Sequence, residues 1–425
     1  MLRRIGNLFL WIWIFLIPWQ VRYIFSDPLV GGEPWEYGRM SLYIGDIIFI
    51  LLLGLAIIVW LRERGASRVY FWPALCLIIF TAWCWIGVLW SVEPGVSAYF
   101  AARITQWLAL LAVIAVLKPS FNLIISSIIA IGVTQTLLGI FQFGTGEVIA
   151  SKWLGMAAQS AAELGSSVVE TSAGRWLRAY GSLPHPNMYG GFIAIALLAV
   201  VYLASRMKRW SSPWLLVLLL FLGEGLVMSF SRSSWIGLIF GALFLVALAW
   251  REKPALRKII IAVCLLVSVF ALNFLLEPAL FITRFSASGR LEAQSFAERG
   301  DQINMALNAI GQHPLGLGIG GYTAWLMEIL PAAPAYVYQP VHNIYALIWA
   351  EIGLVGIALF IALIVFILQA HRKIRYRQAG AYYLSGLFAL LAIGIFDHYL
   401  LTLFSGIMIF GLFISLLLVK VEPGS

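Results

Sequence analysis

The sequence has few charged residues and few cysteines. Only 11% of its 425 residues are Asp, Glu, Lys or Arg, 62% are apolar, and the mean hydropathy is +0.94. This composition excludes an ordinary soluble globular protein. The three cysteines, Cys76, Cys84 and Cys264, all lie in apolar runs, so we expect neither a disulfide framework nor a cysteine metal site. The chain is therefore predicted to be a polytopic membrane protein.

Clustered carboxylates are also absent. No DxD occurs in the sequence, whereas metal-dependent oligosaccharide transferases need several carboxylate oxygens around a hard cation. The net charge is nevertheless +9, and 18 of the 28 Lys and Arg residues fall in short segments on the side of the N-terminus. Because basic loops stay in the cytoplasm, this charge indicates orientation and contact with anionic membrane lipids. It does not indicate nucleic-acid binding.

Most of the sequence consists of long apolar runs. A run of about 20 apolar residues crosses the hydrocarbon core of a bilayer. We therefore predict an all-α polytopic membrane protein, a single integral membrane domain over residues 1–425 with both termini cytoplasmic. Its twelve predicted transmembrane helices are 6–24, 41–61, 70–90, 98–117, 121–143, 188–205, 213–229, 234–250, 258–276, 343–369, 381–397 and 400–419.

Two long segments, 144–187 and 277–342, are predicted on the outer, periplasmic side, and both are predicted to be partly helical. The run INMALNAI at 303–310 places Ile303, Leu307 and Ile310 on one helical face. The predicted inner segments are short basic turns, so we expect any chemistry on the outer face. The nearby GLGIGG matches GxGxxG, but no strand precedes it and a dinucleotide site is not predicted.

Three helices predicted to enter the membrane from outside begin with capping side chains. The predicted caps are Asn187, the pair Ser233 and Ser234, and Asn343. A helix N-terminus carries a partial positive charge and N–H groups that lack intrahelical partners, so several such ends at one pocket would favour an anion.

Arginines stand close to these helix starts and in the long outer segments. Arginine suits a diphosphate because its planar fork donates paired hydrogen bonds and stays charged when desolvated. Arg232 lies between two apolar runs, where a charge is costly and usually functional, although it could also be an interface anchor or a partner of Glu224. The other outer arginines could equally be solvated or paired with nearby acids: Arg178, Arg290 and Arg299.

His342 is the candidate general base. It precedes a long apolar run, and the pKa of histidine is close enough to neutral to take a proton from an attacking hydroxyl. A histidine at a membrane interface can also simply bond a backbone carbonyl. Against that reading, a continuous helix would place His342 on one face with Ala346, Trp349, Gly353 and Gly356, which allows close helix approach. The sequence Asp397-His398 is predicted to be an exposed structural turn.

Together these pieces resemble the O-antigen ligase-like family of bacterial membrane glycan transferases, which includes O-antigen ligases and polymerases. The matching stretches are LRAYGSLPHPNMYGG, SFSRSSWIG, the run from Arg299 to Pro314 with LGLGIGGY, and HNIYALIWAEIGLVG. Arg178, Arg232 and Arg299 fall on the family's arginine positions and His342 on its histidine. The sequence departs from the family at Ile303 and Asn304, where an aromatic residue is common.

The resemblance implies a GT-C-like membrane fold in the bacterial inner membrane and a polyprenyl diphosphate-linked glycan donor on the periplasmic side, without a metal or other cofactor. The three arginines would hold the diphosphate while His342 activates the acceptor hydroxyl. Secondary candidates are Arg290, His185, Asn187 and Asn343. The acceptor could be lipid A-core, another cell-surface molecule or a protein for a ligase, or a lipid-linked glycan for a polymerase. A lipid or glycan transporter is the alternative from another class.

Overall fold

The computed structural model describes residues 1–207, 213–286, 290–376 and 378–420, with side chains in the third range described from residue 293 onward. This part of the chain is mostly helical, as predicted. Its helices are α1 (Leu2–Leu16), α2 (Ile44–Glu63), α3 (Phe71–Gly87), α4 (Pro94–Leu117), α5 (Phe121–Thr145), α6 (Pro186–Arg206), α7 (Pro213–Met228), α8 (Arg232–Ala249), α9 (Lys253–Leu276), α10 (Pro278–Ser286), α11 (Arg290–Gln312), α12 (Tyr322–Ile329), α13 (Ile344–Ala370), α14 (Ala379–Gly394), α15 (Tyr399–Thr402) and α16 (Phe404–Leu418).

Within the described ranges, eight helices are long and apolar enough to cross a membrane: α2, α3 with the 3-10 turn that follows it, α4, α5, α6, α8, α9 and α13. Helices α7, α14 and α16 are apolar but shorter. All twelve predicted runs coincide with a helix, and the eight long ones indicate a multi-pass membrane protein. The number of twelve spans stays a prediction, because α1 and the three shorter helices have only 15 or 16 residues.

The first run ends earlier than predicted. We expected a helix over 6–24, but α1 stops at Leu16 and the chain turns through Pro18 into a strand that starts at Arg22. Proline has no backbone N–H and clashes with the preceding turn, so it kinks or breaks a helix, and here the helix ends before it. The eight residues after Leu16 therefore belong to a loop, residues 17–43, that joins α1 to α2.

In the loops that the structure describes, short strands form four antiparallel pairs. In the 17–43 loop, β1 (Arg22–Ser26) pairs with β4 (Met40–Tyr43), and β2 (Leu29–Val30) pairs with β3 (Glu33–Pro34). In the first long segment the strands are β5 (Glu147–Val148), β6 (Gln159–Ser160), β7 (Val168–Thr171) and β8 (Gly174–Leu177). The prediction that this segment is partly helical was wrong. Its β-branched Val168, Val169 and Thr171 favour a strand, and the turn at Gly174 needs the positive φ of +136°.

Helix α6 lies at the centre of the bundle. A helix that is apolar on all sides is buried on all sides, and almost the whole of α6 is buried. Two glycines near its start allow the closest contacts. A Cβ at Gly190 would lie 2.7 Å from Ser234 Oγ, and one at Gly191 would lie 2.2 Å from the Tyr399 hydroxyl. The start of α6 is therefore packed directly against α8 and α15.

Helix α13 is interrupted at Gly353, whose φ of +71° and ψ of −171° are not helical. The glycine-rich loop after α11 fills the interruption, because Leu317 N–H donates to Ala350 O (3.1 Å) and Leu354 N–H donates to Pro314 O (3.0 Å). A Cβ at Gly316 would lie 2.3 Å from Glu351 O. GLGIGG thus has a packing role. The predicted continuous face through His342, Trp349 and Gly353 was wrong, since the helix breaks there and Trp349 is 39% exposed.

The second long segment is partly helical, as predicted. INMALNAI lies within α11, which packs against α13. The face that α11 buries is centred on Ala306 and Ala309, whereas Leu307 on the predicted apolar face is 55% exposed. Small side chains at the buried positions bring the α11 backbone close to α13.

Candidate functional site

A polar cavity of about 570 Å³ opens at the end of the bundle that carries the long loops. One wall comes from the starts of α6 and α13 and from the turn before α15, with His185, Asn187, His342, Asp397 and His398. Another wall comes from the 17–43 loop, whose Tyr37 ring lies 5.5 Å from that of His398. Two predicted secondary candidates, His185 and Asn187, therefore share a cavity with the predicted base.

His342 lies two residues before α13, and its Nδ1 is 2.7 Å from Gln302 Oε1 on α11. A carbonyl oxygen can only accept, so with the amide in this orientation Nδ1 carries the hydrogen. The tautomer then leaves a lone pair on Nε2, the atom a general base needs. The ring of His342 also lies edge-on to that of His398, with 4.8 Å between centroids.

The pKa of His342 is lowered. Burial is the largest cause, and the positive charge of Arg299 lowers it further, while Asp397 and Glu298 act in the opposite direction. A depressed pKa keeps the imidazole neutral at neutral pH. His342 is thus in the protonation state that can accept a proton.

Asp397 and His398 are buried, each 5% exposed, so the prediction of an exposed turn was wrong. Asp397 accepts hydrogen bonds from Asn187 Nδ2 (2.7 Å) and from His398 N–H (2.9 Å). Burial alone would raise the pKa of Asp397, but His398, His342, His185 and the bond from Asn187 together hold the pKa below its usual range. Asp397 therefore puts a negative charge among three histidines.

The predicted helix caps are correct in one case of three. Asn343 caps α13, and its Oδ1 accepts from the N–H groups of Tyr345 and Ala346, both at 2.9 Å. The cap of α6 is His185 instead of Asn187, and the cap of α8 is Ser231 instead of Ser233 or Ser234. Pro186 explains the first shift, because proline is favoured at the first helical position and leaves His185 as the cap.

With His185 as the cap, Asn187 is available to other partners. His185 Nδ1 accepts from Asn187 N–H (3.1 Å), so the ring must be neutral at that atom. Burial and the nearby charge of Arg178 lower the pKa of His185 to about 3. The amide of Asn187 donates to Asp397 and accepts from Arg178, and so it connects the histidine cluster to an arginine.

Three arginines surround the turn between α7 and α8. Arg178 Nε donates to Ser229 O (2.8 Å), and Arg284 Nε donates to Phe230 O (2.8 Å). Arg232, the first residue of α8, donates to Arg284 O (3.3 Å), and its guanidinium lies 4.6 Å from the ring centroid of Phe296. Phe230 takes a φ of +45°, which is strained for a bulky residue and is held by its buried ring. Three guanidinium groups thus lie close together around this turn.

The other predicted site residues lie at different places in the fold. Arg299 lies one helical turn before Gln302 on α11 and is close enough to lower the pKa of His342. Asn343 caps its helix and donates to Ile395 O (3.0 Å). The side chain of Arg290 lies outside the described part of the chain. Arg284, which is 8% exposed, and Gln302 were not singled out in the sequence.

An apolar cleft of about 600 Å³ runs between α8 and α9, with Arg232 at one end. Apart from that arginine its walls are apolar side chains, among them Trp235, Ile239, Phe270 and Phe285. Among the described residues, no group of three or more His, Cys, Asp or Glu side chains could hold a metal ion. Independence from a metal stays a prediction.

A protein-family model matches part of the chain. The description of the matching family is O-antigen ligase, and its sequence model covers residues 216–361, which include Arg232, Arg284, Arg299 and His342. No curated protein matches the sequence. The predicted resemblance to the O-antigen ligase-like family of glycan transferases is therefore confirmed, with the match lying over residues 216–361.

Proposed function

We propose that the protein transfers a glycan from a polyprenyl diphosphate-linked donor to an acceptor hydroxyl, as an O-antigen ligase, without a metal. The proposed setting is the bacterial cytoplasmic membrane, with the site facing the periplasm or the cell exterior. The observation that carries the proposal is the position of His342. It presents Nε2 in a polar cavity, next to an arginine cluster that lies at one end of an apolar cleft.

The cleft and the arginines suit the two parts of such a donor. An isoprenoid chain is favourable against apolar walls, since each buried CH₂ contributes about 0.8 kcal/mol. Arg232 at the end of the cleft would then meet the diphosphate, together with Arg178 and Arg299. Arg284 donates to the same turn as Arg178 and joins this group. Guanidinium groups held by carbonyl oxygens are preorganised, so they stabilise charge without reorganising during the reaction.

The proposed reaction is a direct displacement. Nε2 of His342 takes the proton of the acceptor hydroxyl, and the hydroxyl oxygen forms a bond to the anomeric carbon of the donor. The bond between that carbon and the diphosphate oxygen breaks, and its electron pair leaves with the polyprenyl diphosphate. The arginines compensate the growing negative charge. Displacement from the opposite side inverts the anomeric centre.

A polymerase of the same family would use the same residues with a second lipid-linked glycan as acceptor. A transporter, in contrast, would be expected to have helices broken at matching positions in two halves. In the described part of the chain, Gly353 is the one residue with non-helical φ and ψ inside a long helix. The polar residues also cluster at one end of the bundle, so transfer is favoured over transport.

Reconstitution tests the proposed function. The purified protein is placed in liposomes with a polyprenyl diphosphate-linked glycan and candidate acceptors, and the glycan–acceptor product is measured by mass spectrometry. Arg232→Ala is expected to lower transfer by about 10²–10³-fold, the loss typical of a removed charge-stabilising donor. Arg251→Ala, in the turn after α8 at the far end of that helix, is the matched control. Movement of donor across sealed vesicles without any product would contradict the proposal.

The contact between Gln302 and His342 gives a pH prediction. Gln302→Glu places a carboxylate at Nδ1, which favours the protonated imidazole and raises the pKa of His342. Because the neutral ring is the active form, the acid limb of kcat/KM is expected to move to higher pH by about one unit or more. Gln312→Glu, on the exposed end of the same helix, should leave the profile unchanged. An unshifted profile for Gln302→Glu would remove His342 from the role of base.

A further inference from the structure

One wall of the polar cavity belongs to the 17–43 loop, in which no site residue was predicted. Its lining side chains include Arg22, Glu36, Tyr37 and Arg39. The arginines assigned to the diphosphate do not line this cavity, and His342 does not line the apolar cleft. His342 therefore lines a cavity other than the apolar cleft that suits the donor chain, and Asn187 connects that cavity to Arg178.

The charges of this wall are balanced. Glu36 binds Arg39 (2.8 Å) and lies 3.5 Å from Arg22, and Arg22 also donates to the Tyr43 hydroxyl (3.2 Å). With Asp397, which lies on the wall that carries His342, the charged cavity residues are two arginines and two carboxylates. The balanced charge of the cavity differs from that of the turn between α7 and α8, around which three arginines lie. An anionic group in the cavity would have to compete with Glu36 for Arg22, and with both Glu36 and Asp27 (2.7 Å) for Arg39.

Aromatic rings lead from this wall to the base. The ring centroid of Tyr37 lies 5.5 Å from that of His398, and His398 lies 4.8 Å from His342. Burial, with the nearby charges of Glu36 and Asp397, raises the pKa of Tyr37, so its hydroxyl keeps the proton and can donate. A row of ring contacts therefore runs from Tyr37 through His398 to the imidazole of His342.

We infer that the polar cavity is the acceptor site and that it takes an uncharged sugar. Sugar hydroxyls both donate and accept, so they match a wall in which guanidinium, carboxylate and phenol groups alternate. The cavity volume is within the range of small-molecule sites, roughly 300–1,000 Å³. The inference rests on the proposed function, because it names the acceptor of that reaction. It adds that the sugar residue that receives the glycan carries no phosphate or carboxylate.

Binding can be measured without transfer. Gln339 lines the cavity, and Gln339→Cys in a Cys264→Ala background gives one accessible thiol, because Cys76 and Cys84 are buried. The rate of alkylation by a small water-soluble maleimide is followed in nanodiscs. The probes are octyl β-lactoside and the same glycoside carrying a 6′-phosphate. By mass action, the neutral probe at ten times its Kd slows alkylation about tenfold. The phosphorylated probe at equal concentration has little effect.

Glu36→Gln tests the charge argument. It removes the carboxylate of Glu36 from Arg22, while Arg39 keeps its bond to Asp27 (2.7 Å). The preference between the two probes is therefore expected to move toward the phosphorylated one by about tenfold. Glu33→Gln, on the exposed part of the same loop, is the control and should keep the wild-type preference. Equal protection by both probes in the wild type, or none by either, would overturn the inference. Protection by the neutral probe without transfer to any acceptor would instead contradict the proposed function alone.

Discussion

Replacing His342 by alanine is expected to lower the rate of glycan transfer by about 10²–10⁴-fold, the usual contribution of a general base. The donor should still bind, because its diphosphate is assigned to Arg178, Arg232 and Arg299. The loss should therefore appear in kcat, with the Kd for the donor lipid changed little. Initial rates in liposomes and donor binding to the same preparation measure the two effects separately.

The matched control is His313→Ala. His313 is a half-buried histidine that follows α11 and lies against Trp325, outside the polar cavity. Its variant should transfer at the wild-type rate. A His342→Ala protein that transfers at the same rate as His313→Ala would rule out the histidine as base. A joint loss of donor binding and rate would assign His342 to binding instead.

The second large effect is expected at Arg178. Arg178→Ala removes the donors to Ser229 O and to Asn187 Oδ1, both in the buried centre of the site. Each buried acceptor left without its donor costs about 1–3 kcal/mol of unfolding free energy. Asn187 would then hold Asp397 less firmly, and the positive charge beside the diphosphate would be lost. We expect transfer to fall by about 10²–10³-fold together with a lower Tm.

Arg178→Lys separates geometry from charge. A lysine keeps the charge but has no planar fork, so one ammonium cannot reproduce both bonds of the arginine. The lysine variant is expected to remain close to Arg178→Ala in transfer, while Arg175→Lys on strand β8 should behave as wild type. Thermal unfolding in detergent shows whether each variant is folded. Full transfer by Arg178→Lys would mean that only the charge matters at this position.

The helices of this protein follow directly from the composition of the sequence. Runs of some 20 apolar residues have few alternatives to a buried or membrane helix, so every predicted run coincides with a helix. The end of α1 was misplaced, because apolar residues continue past Pro18 and the run was followed beyond the proline. The strands in the loops were missed, since two-residue to five-residue strands leave little periodicity to detect.

Part of the site was visible because its residues are close together in the sequence. His185, Asn187 and Arg178 lie within ten positions, and each carries polar groups next to an apolar helix. Asp397 is different, since its bond to Asn187 spans 210 positions and depends on how α14 and α15 pack beside α6. Arg284 and Gln302 belong to no pattern of spacing. Their roles depend on carbonyl and imidazole groups that only the folded chain brings near.

The role of the glycine pattern GLGIGG could not be predicted from the sequence for a different reason. Its spacing suggests a loop around a ligand, yet here Gly316 and Gly353 allow two backbone segments to touch inside the bundle. The interruption of α13 could not be inferred from a run whose composition is uniformly helical. Positive φ at a glycine is decided by the neighbouring segment, which is distant in the sequence.

The central claim is that the bond between the anomeric carbon and the diphosphate oxygen breaks while the acceptor oxygen attacks. Donor lipid labelled in both phosphates is loaded onto the reconstituted protein with a neutral sugar acceptor, and the lipid product and the new glycosidic linkage are identified after a single turnover. The account predicts one intact polyprenyl diphosphate for each glycan transferred, with the anomeric configuration inverted. A lipid product that has lost a phosphate, or a linkage that keeps the donor's configuration, would contradict it.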